Sequence, residues 1–175
     1  FVGEYINKSK NIYESLIKNV QIAVDETIKE YEVNLYGSHA TNLCLPWSDL
    51  DVVLIHKHDI YKNTRISSET KHYLLTKLSD NLRHQPWVKE VNYISSALIP
   101  IIKIVAEEKY NKMRIDISIQ DDKHFGLKCV EVVKKFINRY ESLKPLVLSL
   151  KNMLKLANLN DPYKGGMSSY GLILM

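Results

Sequence analysis

The chain has 175 residues, enough for one domain, or one and part of a second, and its 45 % hydrophobic and 25 % charged content is that of a globular protein rather than a disordered or fibrous one. Lys and Arg total 24 against 20 Asp and Glu, a formal net charge of +4 that is compatible with an anionic partner such as a nucleotide or RNA without identifying one. No run is long and apolar enough to span a bilayer, no secretory leader precedes Phe1, and Cys44 and Cys129 stand in no metal-binding spacing, so the expectation is an intracellular protein with two free thiols.

Residues 1–31 carry Ile12, Leu16, Val20, Ala23, Val24 and Ile28 at helical spacing and predict one or two helices. The apolar Val33-Asn34-Leu35-Tyr36 predicts a strand ending at Gly37-Ser38, where backbone N–H groups and a hydroxyl can face a phosphate. A short helix over 39–43 and a strand over 49–55 follow. In that strand a period of two sends Asp49 and Asp51 to one face and Leu50 and Val52 to the other. Crowded carboxylates repel, and the usual remedy is a hard cation bound through oxygen, with Mg2+ keeping positions open for substrate phosphates. Singly, an Asp-x-Asp is more often a solvated edge and Gly-Ser an ordinary strand end; their combination at this spacing predicts a magnesium site.

Residues 66–83 predict a helix, opened by Ser67-Ser68-Glu69-Thr70 and closed before Pro86. Strands are expected over 87–95, 99–106 and 113–119, separated by charged turns such as Glu107-Glu108-Lys109, which makes a mixed sheet. Asp116 sits in the last of these among Ile and Met residues, where an unpaired carboxylate is costly, so a cation or donor should lie beside it. An ion pair with a lysine or with Arg114 is the alternative to a metal. His39, His56, His58, His72, His84 and His124 are scattered, and His56 with His58 reads as a solvated strand end rather than a zinc site.

After Asp121-Asp122 the pattern turns helical, over 125–140, over 145–156 with Pro145 in a first turn, and from 168 onward, which suggests a boundary near 121. Lys151 and Lys155, four apart, share a face and repel unless an anion lies between them; a solvated surface pair is the alternative. Gly165-Gly166-Met167-Ser168-Ser169-Tyr170 forms a flexible turn into a helix, where Ser168 or Ser169 can cap or bind phosphate and Tyr170 can stack on a base or fill a core. The chain starts at Phe1 and stops in the apolar Gly171-Leu172-Ile173-Leu174-Met175, from which the expectation is an excerpt that continues beyond Met175 and is inactive alone.

Three segments, YGSHATNLCLPWSDLDVVL, RIDIS and LKPLVLSLKNMLKLANLNDPYKGGMSSYGLILM, together resemble the DNA polymerase β-type nucleotidyltransferases. Within that superfamily the likeness is to the noncanonical poly(A) polymerases of the TRAMP-complex type, which tag nuclear RNAs for exosome processing. The resemblance implies an α+β fold: a nucleotidyltransferase palm over 15–121, with a mixed, mainly antiparallel sheet flanked by helices, and part of an all-helical central domain over 1–14 and 122–175. It implies template-independent addition of AMP from ATP to RNA 3' ends. Asp49, Asp51 and Asp116 would hold two Mg2+ ions, with Mn2+ able to substitute. Gly37 and Ser38 would grip the β and γ phosphates, Lys151, Lys155 and Ser169 would close from the helical side, Tyr170 would stack on the base, and Cys129 would sit near the ribose.

A zinc-knuckle RNA-binding partner, an RNA helicase and a nuclear location come with the same resemblance; that no membrane partner is expected comes from the lack of a long apolar stretch. Two departures are informative. Asn42 stands where the family usually has Gly, and Asn tolerates a left-handed backbone better than most residues. Gly126-Leu127-Lys128-Cys129-Val130 replaces the Asn-Thr pair common in uridylyltransferases, which tilts the reading from UTP toward ATP. The alternatives are a terminal uridylyltransferase of the same fold, a 2'-5' oligoadenylate synthetase-like enzyme, and an inactive RNA- or protein-binding scaffold.

Overall fold

The computed structural model describes residues 2–58 and 66–175, with side chains from residue 10 onward apart from that of Tyr163. The expected first helical region is one unbroken helix, α1 (Val2–Thr27), whose Leu16, Val20, Ala23 and Val24 are fully buried along one face. A tight turn leads into β1 (Tyr31–Leu35), and the chain then passes through the one-turn helix α2 (Gly37–Ala40) to β2 (Leu50–His56). Helix α3 (Ser68–Leu82) opens as its sequence predicts: the Ser67 hydroxyl accepts a hydrogen bond from the Thr70 N–H at 3.1 Å. Strands β3 (Val88–Ile94), β4 (Ile101–Ala106) and β5 (Arg114–Ile119) follow, and then α4 (Gly126–Arg139), α5 (Leu143–Leu156) and α6 (Ser169–Leu174).

The five strands form one sheet in the order β1-β2-β5-β4-β3. Only β2 and β5 run parallel; the other neighbours are antiparallel, so the sheet is mixed and mainly antiparallel. Its first face carries Leu50, Val52, Leu54, Ile102, Ile104, Ile115 and Ile117, packed against α1 and against Leu75, Leu78 and Leu82 of α3. Each such side chain, fully withdrawn from water, contributes about 1.5–3 kcal/mol, and this layer fixes which strand residues point inward. By period two, Asp51, Asp116 and Lys103 are left on the opposite face.

A smaller core joins the helices to the sheet. Leu43, in the loop after α2, is buried with Val133 of α4 and Val147 of α5, and Ile173 of α6 packs against them. The helices beyond β5 are thereby anchored on the segment that follows Gly37-Ser38. No described helix is long and apolar enough to cross a membrane.

Candidate active site

Register, more than any single residue, builds the site. Asp51 of β2 lies directly opposite Asp116 of β5, and Lys103 of β4 lies opposite Asp116 on its other side. Asn92 of β3 faces Lys103, and the Tyr36 N–H donates to the Asp51 carbonyl at 3.0 Å, so Tyr36, Asp51, Asp116, Lys103 and Asn92 form one polar row across the sheet. Asp49, expected as the first residue of the strand, instead immediately precedes β2, and its Oδ1 lies 2.6 Å from Arg114 Nε. Asp116 is paired with Lys103 Nζ at 2.5 Å. A lysine partner for Asp116 is thus present, while Arg114 serves Asp49 instead.

Asp51, between the other two, is paired with no cation among the described residues. Burial, then the charges of Asp116 and Asp49, push its carboxyl up to about 7, against the pull of a Ser38 backbone hydrogen bond. Asp116 is also raised, by burial first, with Lys103 opposing. Three neighbouring carboxylates offer the hard oxygen donors that suit Mg2+. As the side chains stand, no three acidic, histidine or cysteine groups among the described residues are gathered as a metal cluster; Asp49 is turned onto Arg114 and Asp116 onto Lys103.

Gly37 adopts φ +65°, and a Cβ there would overlap the Asp51 carboxylate. That turn starts α2 directly at the strand end, two residues earlier than the expected helix, and puts Ser38 at the mouth of the carboxylates. Asn42, φ 56°, is the left-handed residue just past the α2 cap, the role its sequence position suggests. Lys151 is held from the helical side: its Nζ donates to the Leu43 carbonyl at 2.7 Å, and burial lowers its ammonium pKa. Ser168 caps α6, accepting from the Gly171 N–H at 3.0 Å, which leaves Ser169 to line the cleft.

Gly37, Ser38, Asp49, Asp51, Lys151, Lys155 and Ser169 share the wall of a cavity of about 310 Å³, with Trp47, Asn160 and Met167. An adjoining, largely apolar cavity of about 250 Å³ shares Gly37, Ser38, Lys151 and Ser169 and adds Cys129, Tyr170, Tyr36 and Val130. The Cys129 thiol beside Tyr170 raises that phenol's pKa. Asp116 opens, with Asp49, Lys103 and Arg114, onto a third groove of about 560 Å³ over β4 and β3. All ten residues singled out in the sequence therefore surround one region.

Sequence reasoning missed Lys103, Asn92 and His124. The signal for Lys103 was there, a lone lysine inside Ile101-Ile102-Lys103-Ile104-Val105. His124 is buried, its Nε2 lies 2.9 Å from Ser118 Oγ, and its ring meets Tyr36 edge-on at 4.9 Å. It ties β5 to the start of α4, where a Cβ on Gly126 would strike both rings. His56 pairs with Glu30 at the strand end. Cys44 and Cys129 are free.

With this geometry in view, residues 6–136 match the family model described as poly(A) RNA polymerase, mitochondrial-like, central palm domain. The chain belongs to this family. It is 32 % identical to poly(A) RNA polymerase cid14 of Schizosaccharomyces pombe over 94 % of this chain and 22 % of that protein. It is 31 % identical to Trf4-2 of Drosophila melanogaster, named as an inactive poly(A) RNA polymerase protein, over 82 % of this chain and 32 % of the other. The fold is also that of the polymerase core of TRAMP, an RNA surveillance complex (TM-score 0.76, 23 % identity, 93 % of this chain and 47 % of that one). The Cid1 poly(U) polymerase shares it as well (TM-score 0.77, 21 % identity, 95 % and 49 %). The chain spans under a third of these curated relatives and about half of the solved chains.

Proposed function

We propose that the protein containing this chain is an RNA nucleotidyltransferase that adds AMP from ATP to RNA 3' ends without a template, with two Mg2+ ions as cofactors. The observation that carries this reading is the cross-strand pair Asp51 and Asp116, with Asp49 beside it, set next to the Gly37-Ser38 turn in a cleft whose far wall supplies Lys151 and Ser169. The three aspartates would hold the ions, Mg2+ or Mn2+, which when bound acidify the RNA 3'-hydroxyl and neutralise the departing pyrophosphate.

The chain's own groups bind and orient. Ser38 and the backbone at Gly37 hold the β and γ phosphates from the sheet side, while Lys151, fixed by the Leu43 carbonyl, offers a half-desolvated ammonium from the other. Lys155 and Ser169 complete that wall. Tyr170 and Cys129, on the apolar cavity, take the base and ribose. No protein nucleophile is needed, and catalysis consists of positioning and charge neutralisation.

We read 15–121 as the palm and 1–14 with 122–175 as the beginning of a helical central domain. Exposed Leu146, Met153, Leu156 and Leu174 on α5 and α6 support an apolar face for further helices. Ile12 and Tyr13 pack on the sheet's core, so the first segment serves the palm too. ATP is favoured over UTP by the relatives named poly(A) RNA polymerase; the likeness to the poly(U) polymerase speaks for fold alone. A nuclear role with a zinc-knuckle RNA-binding partner and an RNA helicase is carried by the motif resemblance of the sequence; the likeness to the TRAMP polymerase core, at 23 % identity, speaks for fold alone as well.

In the full-length protein, Asp116→Ala should abolish Mg2+-dependent extension of an RNA oligomer by ATP while leaving the circular dichroism unchanged. Undiminished extension refutes the assignment. Offering ATP, UTP, CTP and GTP singly tests the base, and preference for UTP moves the reading to a uridylyltransferase. Failure of the unmodified protein to extend RNA with any nucleotide favours the scaffold alternative, which the three retained carboxylates argue against.

A further inference from the structure

Asp116 and Asp49 are not bare carboxylates; each is met by a cation that the sheet itself delivers. Lys103 is opposite Asp116 in the β4–β5 register, between the buried Ile102 and Ile104, so its backbone is fixed and only its flexible stem can move. Arg114 is two residues before Asp116 on the same strand and meets Asp49, which is two before Asp51 on the parallel neighbour. Both cations can leave. The Lys103 and Arg114 side chains are 45 % and 57 % exposed, against 14 % and 34 % for the carboxylates they touch. The third carboxylate, Asp51, is the innermost of the three and forms no ion pair with either among the described residues, feeling only the more distant charge of Lys103.

An ammonium or guanidinium within 2.6 Å of a carboxylate oxygen occupies the place a divalent ion would take, and like charges at that range repel strongly. We propose that Lys103 and Arg114 are built-in counter-ions that neutralise Asp116 and Asp49 while the site lacks divalent metal and swing into solvent as metal enters. Metal loading is then an exchange of side-chain cations for divalent ones. The proposal rests on the metal reading of the three aspartates. It gives Lys103 and Arg114 a positioning role: they keep the metal-free carboxylates apart and weaken metal binding by the free energy needed to displace them.

The test follows Lys103 directly, in the full-length protein. Lysine acetylation by an N-hydroxysuccinimide ester, read by mass spectrometry during an Mn2+ titration, should show Lys103 at least threefold more reactive in the metal-bound protein. Lys103→Met and Lys103→Gln should each bind Mn2+ at least threefold more tightly by calorimetry, while Lys103→Arg, which restores a displaceable cation, stays within twofold of the parent. Unchanged Lys103 reactivity in a protein that binds Mn2+, or unchanged affinity in both neutral variants, overturns the exchange. Asp51→Asn separates the two levels: it should lose Mn2+ binding. If it binds as the parent does, or if the parent binds none, the metal reading itself falls and the exchange with it.

Discussion

Asp51→Asn is the substitution whose consequence can be worked furthest from the structure, because this carboxyl is held up to about 7 by burial and by Asp116 and Asp49. In the unfolded chain the same group ionises near 3.8. Between those values the folded state binds more protons than the unfolded one, so the stability of metal-free protein falls as pH rises through the window. The penalty is complete above about 7 and absent below about 4. At about 1.4 kcal/mol for each pKa unit the full penalty is about 4 kcal/mol; Asp51 keeps some solvent access, which trims it to about 2–4 kcal/mol. Asn has the same shape and can still accept from the Ser38 N–H. Urea melts in chelator should therefore find Asp51→Asn more stable than the parent by about 2–4 kcal/mol at pH 8 and nearly equal to it at pH 4. Equal stability at pH 8, or a difference that does not shrink on acidification, would refute the claim that burial, reinforced by Asp116 and Asp49, holds this carboxyl up.

Gly37→Ala puts a Cβ into the Asp51 carboxylate at φ +65°; urea melts should show a loss of about 1–3 kcal/mol, and fluorescence titration with ATP should show weakened binding. Asn42→Gly should be within about 0.5 kcal/mol of the parent or better and Asn42→Ala about 1 kcal/mol worse, because only the left-handed backbone is at stake. Lys71 of α3 and Asp121, just after β5, form a buried ion pair. Lys71→Ala strands that carboxylate and should cost about 3 kcal/mol in thermal or urea melts at pH 7, whereas replacing both partners by apolar residues should cost far less.

Local pattern sufficed for much of the molecule. The alternation in Leu50-Asp51-Val52 placed the aspartates away from the core, the stripe from Leu16 to Val24 marked the buried face of α1, and Ser67 marked the start of α3. Asn42, standing where the resembled family usually has Gly, pointed to the left-handed residue after α2, whereas the positive φ of Gly37 came only with the structure. These properties follow from backbone geometry over a few residues, which a single sequence carries in full.

Tertiary structure decided what faces what. That Asp116 stands opposite Asp51, that Lys103 rather than Arg114 meets it, and that Leu43 orients Lys151 all depend on strand order and register. Register is set by burying every apolar strand face against α1 and α3 at once, a global sum that no local window contains. Local pattern was enough for the donors and the faces they occupy; the folded sheet brought Asp51 and Asp116 from separate strands into one row and gave Asp116 and Asp49 their cations.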